Sequence, residues 1–182
     1  GQIRFAHASN LFDACDYSAA LALLEDLKVK SLYRSQVDDY LFKRAYCLLE
    51  LGDYDKAREA FVKVENRLHT DYSGPSRYAL GCIHYRNGNF DAALTWFEKA
   101  SSDDRFSEVA DYFILECRFM LKDYEYVTAN AQRMYDLVPQ DRKPHLARII
   151  SEASLVLGDT ANARKYYELG VGEGNEPDSR TE

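Results

Sequence analysis

Long apolar runs are missing from this chain. No stretch reaches the roughly 18 apolar residues a membrane-spanning helix needs, which argues against direct membrane insertion. Positive charge is in deficit. Lys and Arg number 23 against 30 Asp and Glu, for a net charge of −7, and the basic residues are scattered rather than gathered into an arm. That balance argues against nucleic acid or an anionic surface as partner. Cys15, Cys47, Cys82 and Cys117 form no C-x-x-C pair, and His7, His69, His84 and His145 form no H-E-x-x-H or other close metal pair. Cys82 and His84, two apart, point to different faces of a helix. No G-x-S-x-G elbow, phosphate-binding loop or dinucleotide glycine motif is present. Helix caps and solvated turns account for the acids at Glu50, Asp53 and Asp55. The expectation is a non-enzymatic protein without metal or cofactor. The start shows no secretory signal, which leaves the compartment open between cytoplasm and a bacterial periplasm or cell envelope.

What the chain does have is a repeat. Cys15-Asp16-Tyr17, Gly52-Asp53-Tyr54, Gly88-Asn89-Phe90, Lys122-Asp123-Tyr124 and Gly158-Asp159-Thr160 carry one signature, each followed by a small or apolar residue three positions beyond the last. Counted at Tyr17, Tyr54, Phe90, Tyr124 and Thr160, the steps are 37, 36, 34 and 36 residues. Such a period marks a solenoid, whose units bury their apolar faces against neighbours and leave a surface for binding rather than chemistry. The cysteine gaps of 32, 35 and 35 follow the same period, so the cysteines read as small residues inside helices.

Each unit reads as two helices and a tight turn. Val37, Leu41, Ala45, Leu48 and Leu49 recur at helical spacing, and Gly52 ends that helix because glycine accepts the left-handed cap conformation. Asp53 or Asp55 then caps the next helix, with Ala57, Ala60, Phe61 and Val64 as its apolar stripe. Small residues at Ala57 and Ala93 allow close helix approach, and Phe61 and Phe97 fill the space one turn later. Ala20 with Leu24 plays these roles in the first unit and Ala163 with Tyr167 in the fifth. The fourth, with Val127 and Ala131, is degenerate and is expected to pack most loosely. Ser73-Gly74-Pro75, Ser101-Ser102-Asp103-Asp104 and Pro139-Gln140-Asp141 separate units.

These residues resemble the tetratricopeptide repeat (TPR) family, most closely in Ala45 with Gly52-Asp53-Tyr54, Ala57 and Phe61, and in Gly81 with Gly88-Asn89-Phe90, Ala93 and Phe97. Pro139 falls at the family's inter-repeat proline, whereas its early tryptophan is absent. The resemblance implies an all-α, right-handed superhelical α-solenoid of antiparallel helix pairs. The expected domain is 1–169, with units at 1–34, 38–71, 74–104, 108–141 and 144–169 and a flexible tail at 170–182. It also implies a concave groove lined by the first helix of each pair. Carried onto this sequence, the partner-binding residues are Phe5, Phe12, Phe42, Tyr46, Tyr78, Tyr85, Tyr112 and Phe119, a strip suited to a peptide or helix of another protein. The carboxylate-clamp positions of chaperone-binding relatives hold Phe5, Ser9, Lys43, Pro75 and Ala79, with only Lys43 basic, so that activity does not carry over.

The outer face of the fifth unit's second helix has no following helix, and Gly170-Val171-Gly172 is expected to break it. Two alternatives stand beside the peptide-binding groove: self-association through the repeat ends, and a glycan- or small-ligand-binding domain of a cell envelope.

Overall fold

The computed structural model describes residues 1–67 and 70–173. Among these there are eleven α-helices and no strand. The chain divides into two compact units, Gly1–Gly88 and Asn89–Glu182.

The first unit holds α1 (Gln2–Asp13), α2 (Tyr17–Glu25), α3 (Val37–Glu50), α4 (Tyr54–Glu65) and α5 (Ser73–Arg86). α1 packs on α2, α3 on both, α4 on α3, and α5 on α4. Phe5, Ala8, Ala20, Leu24, Tyr40 and Cys47 form a buried cluster that joins the first pair to α3. The linker before α3, expected without internal structure, contains two 3-10 turns at Val29–Ser31 and Arg34–Gln36. Helix α5 starts at Ser73 and takes in Pro75. The Ser-Gly-Pro stretch expected as a breaker is its first turn, where proline costs no hydrogen bond.

The second unit holds α6 (Phe90–Ala100), α7 (Ser107–Met120), α8 (Tyr124–Ala129), α9 (Ala131–Leu137), α10 (Lys143–Val156) and α11 (Thr160–Glu173). Its core gathers Leu115, Val127, Met134, Leu146, Ile150 and Tyr166. The fourth repeat does not pack loosely: Val127, Ala131 and Met134 are buried. Its irregular sequence instead divides the second helix at Asn130, whose side-chain amide donates to the Tyr126 carbonyl at 2.9 Å and competes with the backbone ladder. The helical break expected at Gly170 does not occur, since α11 runs through to Glu173. The rest of the expected tail, 174–182, lies outside the described residues, as does His69.

The recurring signature is a single device. The first helix ends with a residue at positive φ: Gly52 at 79°, Gly88 at 72°, Gly158 at 78°, and also Cys15 at 59° and Lys122 at 65°. In four of the five turns two amides fold back onto the last helical turn. Gly52 N–H donates to Leu49 and Asp53 N–H to Leu48, with the same pairs at Cys15/Asp16, Lys122/Asp123 and Gly158/Asp159. The acid that closes this motif then caps the next helix. Asp16, Asp53, Asn89, Asp123 and Asp159 accept from the amides of Ala19, Lys56, Ala92, Tyr126 and Asn162 at 3.0 to 3.4 Å. Asp53, not Asp55, is the cap of α4. One Gly-Asp dipeptide thus ends one helix and begins the next.

In the fifth unit the aromatic that fills the space beside Ala163 is Tyr166, 1% exposed, and not Tyr167. Tyr166 meets Tyr135 of α9 edge-on at 5.6 Å. Ala163 is followed by rings at both three and four residues, so helical spacing allows either. The preceding α9 offers a partner only to the first.

Candidate partner-binding face

The first unit assembles an aromatic face from α1, α2, α3 and the residue before α5. Phe12, Tyr17 and Tyr46 form an edge-on triangle with centroids 5.5 to 5.7 Å apart. Phe42 continues it at 6.0 Å from Tyr46 and stacks on Tyr72 at 4.7 Å. The edge-on and stacked pairs are arrangements that π quadrupoles favour. Each of these side chains is half-buried. Helical spacing puts Phe42 and Tyr46 on one side of α3, one turn apart.

A polar centre lies beside the rings. Asp39 accepts from Lys43 Nζ at 3.1 Å and from the Tyr72 hydroxyl at 2.9 Å. The Lys43 ammonium sits 5.6 Å from the Phe12 ring centre and 5.8 Å from that of Phe5, where the ring faces stabilise it. Burial, reinforced by the bond to Asp39, pushes the Tyr72 phenol up to about 12. Burial likewise raises Tyr46, with the Glu50 hydrogen bond adding to it. The Tyr17 phenol is raised chiefly by its hydrogen bond with Cys15. These phenols are neutral through the physiological range and present hydroxyl dipoles rather than charge.

The eight expected residues do not form one strip. Phe12, Phe42 and Tyr46 are brought together. Phe5, 4% exposed, is taken into the core against Tyr40 at 6.4 Å, because it starts α1 on the side that α3 covers. Tyr112, 6% exposed, is likewise core, its ring under the Arg142 guanidinium and its hydroxyl donating to Glu116 at 2.6 Å. Both are corrected from surface to interior. Tyr78 and Tyr85 are half-buried on α5. Phe119 packs on the core of the second unit, edge-on to Tyr124 at 5.9 Å. Tyr17 and Tyr72 were missed as members of the face. Tyr17 lies in the turn signature and Tyr72 beside the Ser73-Gly74-Pro75 stretch, positions where helical spacing assigns no face.

The second unit carries a different, charged constellation. Buried Glu116 on α7 lies 2.7 Å from His145 Nε2 on α10, and Arg148 donates to Glu152 at 2.7 Å. Among the described residues no group of three or more His, Cys, Asp or Glu is placed to hold a metal ion. No described helix is long and apolar enough to cross a membrane.

Two tetratricopeptide repeat models match the chain, at residues 39–67 and 74–102. The fold is shared with solved structures across nearly the whole length. MamA residues 41 to the end, from Desulfovibrio magneticus RS-1, is 17% identical with a TM-score of 0.75, covering 97% of this chain and 98% of that one. A MamA RS-1 double mutant is 17% identical at 0.76, over 98% and 96%. A kinesin-light-chain-type array of nearly identical TPR-like repeats from Podosopora anserina is 12% identical at 0.65, over 99% and 97%. No curated protein sequence matches the chain. The helix pairs, the shared turn device and these matches define an all-α TPR-like solenoid. The chain carries tetratricopeptide repeats at residues 39–67 and 74–102, a repeat type that serves protein–protein interaction.

Proposed function

We propose that the chain is a non-catalytic adaptor whose first unit binds a segment of a partner protein on the face formed by Phe12, Tyr17, Phe42, Tyr46 and Tyr72. One observation carries this reading. Five aromatic rings from four separate chain segments converge on one face and stay half-exposed, although burying them fully would have stabilised the fold. Held rings offer large contact area at small entropic cost, and the Tyr72 and Tyr46 hydroxyl oxygens, their protons engaged by Asp39 and Glu50, can accept from a peptide N–H. The Lys43–Asp39 pair gives the face a fixed polar mark, which favours a segment that alternates apolar and polar side chains.

The test is selection of peptides from a random displayed library against the intact chain, followed by affinity measurement on variants. Selected peptides bind the parent protein and lose at least about tenfold in affinity on Tyr46→Ser or Phe12→Ser. Peptides that bind both variants as well as the parent refute the assignment.

A further inference from the structure

We infer that the corner of the aromatic face formed by Phe12, Tyr17 and Tyr46 recognises a basic side chain, lysine or arginine, of the partner segment, with Asp13 and Glu50 supplying the counter-charge. The inference rests on the reading of this face as a peptide site and names what the peptide carries there.

Helix ends set the charge of this corner. A helix C-terminus carries partial negative charge, so a base is stabilising there and an acid is not. α5 and α7 follow that rule, with Arg86 and Arg118 in their last turns. α1 and α3 break it. Neither has a base in its last turn, and their final residues are Asp13 and Glu50, both exposed. Glu50 is therefore not a turn acid. It lies one helical turn beyond Tyr46 and accepts from the Tyr46 hydroxyl. The two helix ends meet, since Phe12, next to Asp13, has its ring 5.5 Å from that of Tyr46.

Two helix termini and two carboxylates thus add their negative fields over one group of rings. Neither Asp13 nor Glu50 is in an ion pair with a described residue. Lys43 is taken by Asp39 and Lys56 by Asp53. The N-termini of α2 and α4, positive in sign, are offset by their caps Asp16 and Asp53. The phenols report the same field. The Cys15 hydrogen bond leads in raising Tyr17 and burial leads in raising Tyr46, and the Glu50 charge adds to both.

The rings supply the other half of a cation site. Phe12, Tyr17 and Tyr46 stand at the corners of a nearly equilateral triangle and are inclined to one another by 61° to 72°. Ring faces attract an ammonium or a guanidinium, and mutually inclined rings meet it from more than one side. The fold already uses this chemistry once, where the Lys43 ammonium lies 5.6 Å from the Phe12 ring centre. Tyr17 and Tyr46, towards Glu50, make no ring–cation contact among the described residues. An acidic segment would be repelled by both carboxylates. A purely apolar one would desolvate them without offering a partner.

The probes are peptides selected from a random displayed library against the intact chain, each synthesised with and without its basic residues. The expected peptides carry a lysine or arginine whose neutral isostere, norleucine or citrulline, binds at least about tenfold more weakly. Glu50→Gln keeps an acceptor for the Tyr46 hydroxyl and removes only the charge. It costs at least about threefold in affinity for the basic peptide and nothing for the neutral one, with a melting temperature no lower than the parent's. Asp13→Asn behaves alike. Binding of the basic peptide weakens as salt rises from about 50 to about 500 mM, and less steeply in Glu50→Gln. Peptides that lose affinity on Phe12→Ser, yet are indifferent to Glu50→Gln and to loss of their basic residues, overturn this inference and leave the face standing. Selection of no peptide, or of peptides indifferent to Phe12→Ser, overturns both.

Discussion

Substituting glycine at Cys15 and Lys122 tests the turn device where it is least satisfied. Both residues sit at positive φ in the position that Gly52, Gly88 and Gly158 hold in the other units. A left-handed conformation costs an L-residue about 1–2 kcal/mol. Glycine removes that cost but adds about 0.5–1 kcal/mol of unfolded-state entropy. The net gain is about 0.5–1 kcal/mol for Lys122→Gly and smaller for Cys15→Gly, which also loses the Cys15 hydrogen bond with Tyr17. Since a Cβ at Gly52, Gly88 or Gly158 would meet nothing within 4 Å, the effect at this position is conformational rather than steric, and the trade transfers between units. For a chain of this size the Lys122→Gly gain raises Tm by about 1–4 °C, with a smaller rise for Cys15→Gly. The assay is urea denaturation followed by circular dichroism, with Cys15→Gly, Lys122→Gly, the double variant, and Gly52→Ala as the reciprocal control. The glycine variants shift the midpoint upward at unchanged slope, and Gly52→Ala shifts it downward. Loss of stability in both glycine variants, or an indifferent Gly52→Ala, would refute the reasoning.

Further outcomes follow from the same structure. Phe97→Ala lowers stability by about 3–5 kcal/mol, while Tyr167→Ala changes it by no more than about 0.5 kcal/mol, although the two share a register position; denaturant midpoints separate them. Asp123→Ala removes the cap of α8 and costs about 1 kcal/mol by the same measurement. The Asp53 carboxyl is held below its usual range, first by its hydrogen bond with Lys56. Its contribution is therefore fully present above the unfolded carboxyl range near 4 and is lost as pH falls through the lower folded value. Asp53→Asn flattens that acid limb in midpoint against pH. Burial pushes the Cys47 thiol up to about 11 while Cys15 is exposed, so a thiol reagent modifies Cys15 in the native protein and reaches Cys47 only on unfolding; peptide mapping reads this directly.

The fold was legible because its signals are local. Helix end, left-handed cap and next N-cap fall within three consecutive residues and need no tertiary knowledge, so the unit turns could be placed from Gly52-Asp53-Tyr54 alone. The binding face was legible only in part, because exposure is decided by neighbours. Phe5 and Phe12 lie seven residues apart on α1 and look alike in sequence. α3 covers the first and leaves the second at the edge of the ring cluster. Tyr166 and Tyr167 are adjacent and chemically identical, and the side on which a helix already stands determines which is core. Tyr72 joins the face by stacking on Phe42 thirty residues away, a contact that periodicity does not encode.

The most direct test of the account is residue-resolved NMR of the intact protein titrated with a library-selected peptide. The account predicts shift changes concentrated at Phe12, Tyr17, Phe42, Tyr46 and Tyr72, with nuclear Overhauser contacts from peptide side chains to those rings. Saturating binding that leaves all five rings unmoved would contradict it.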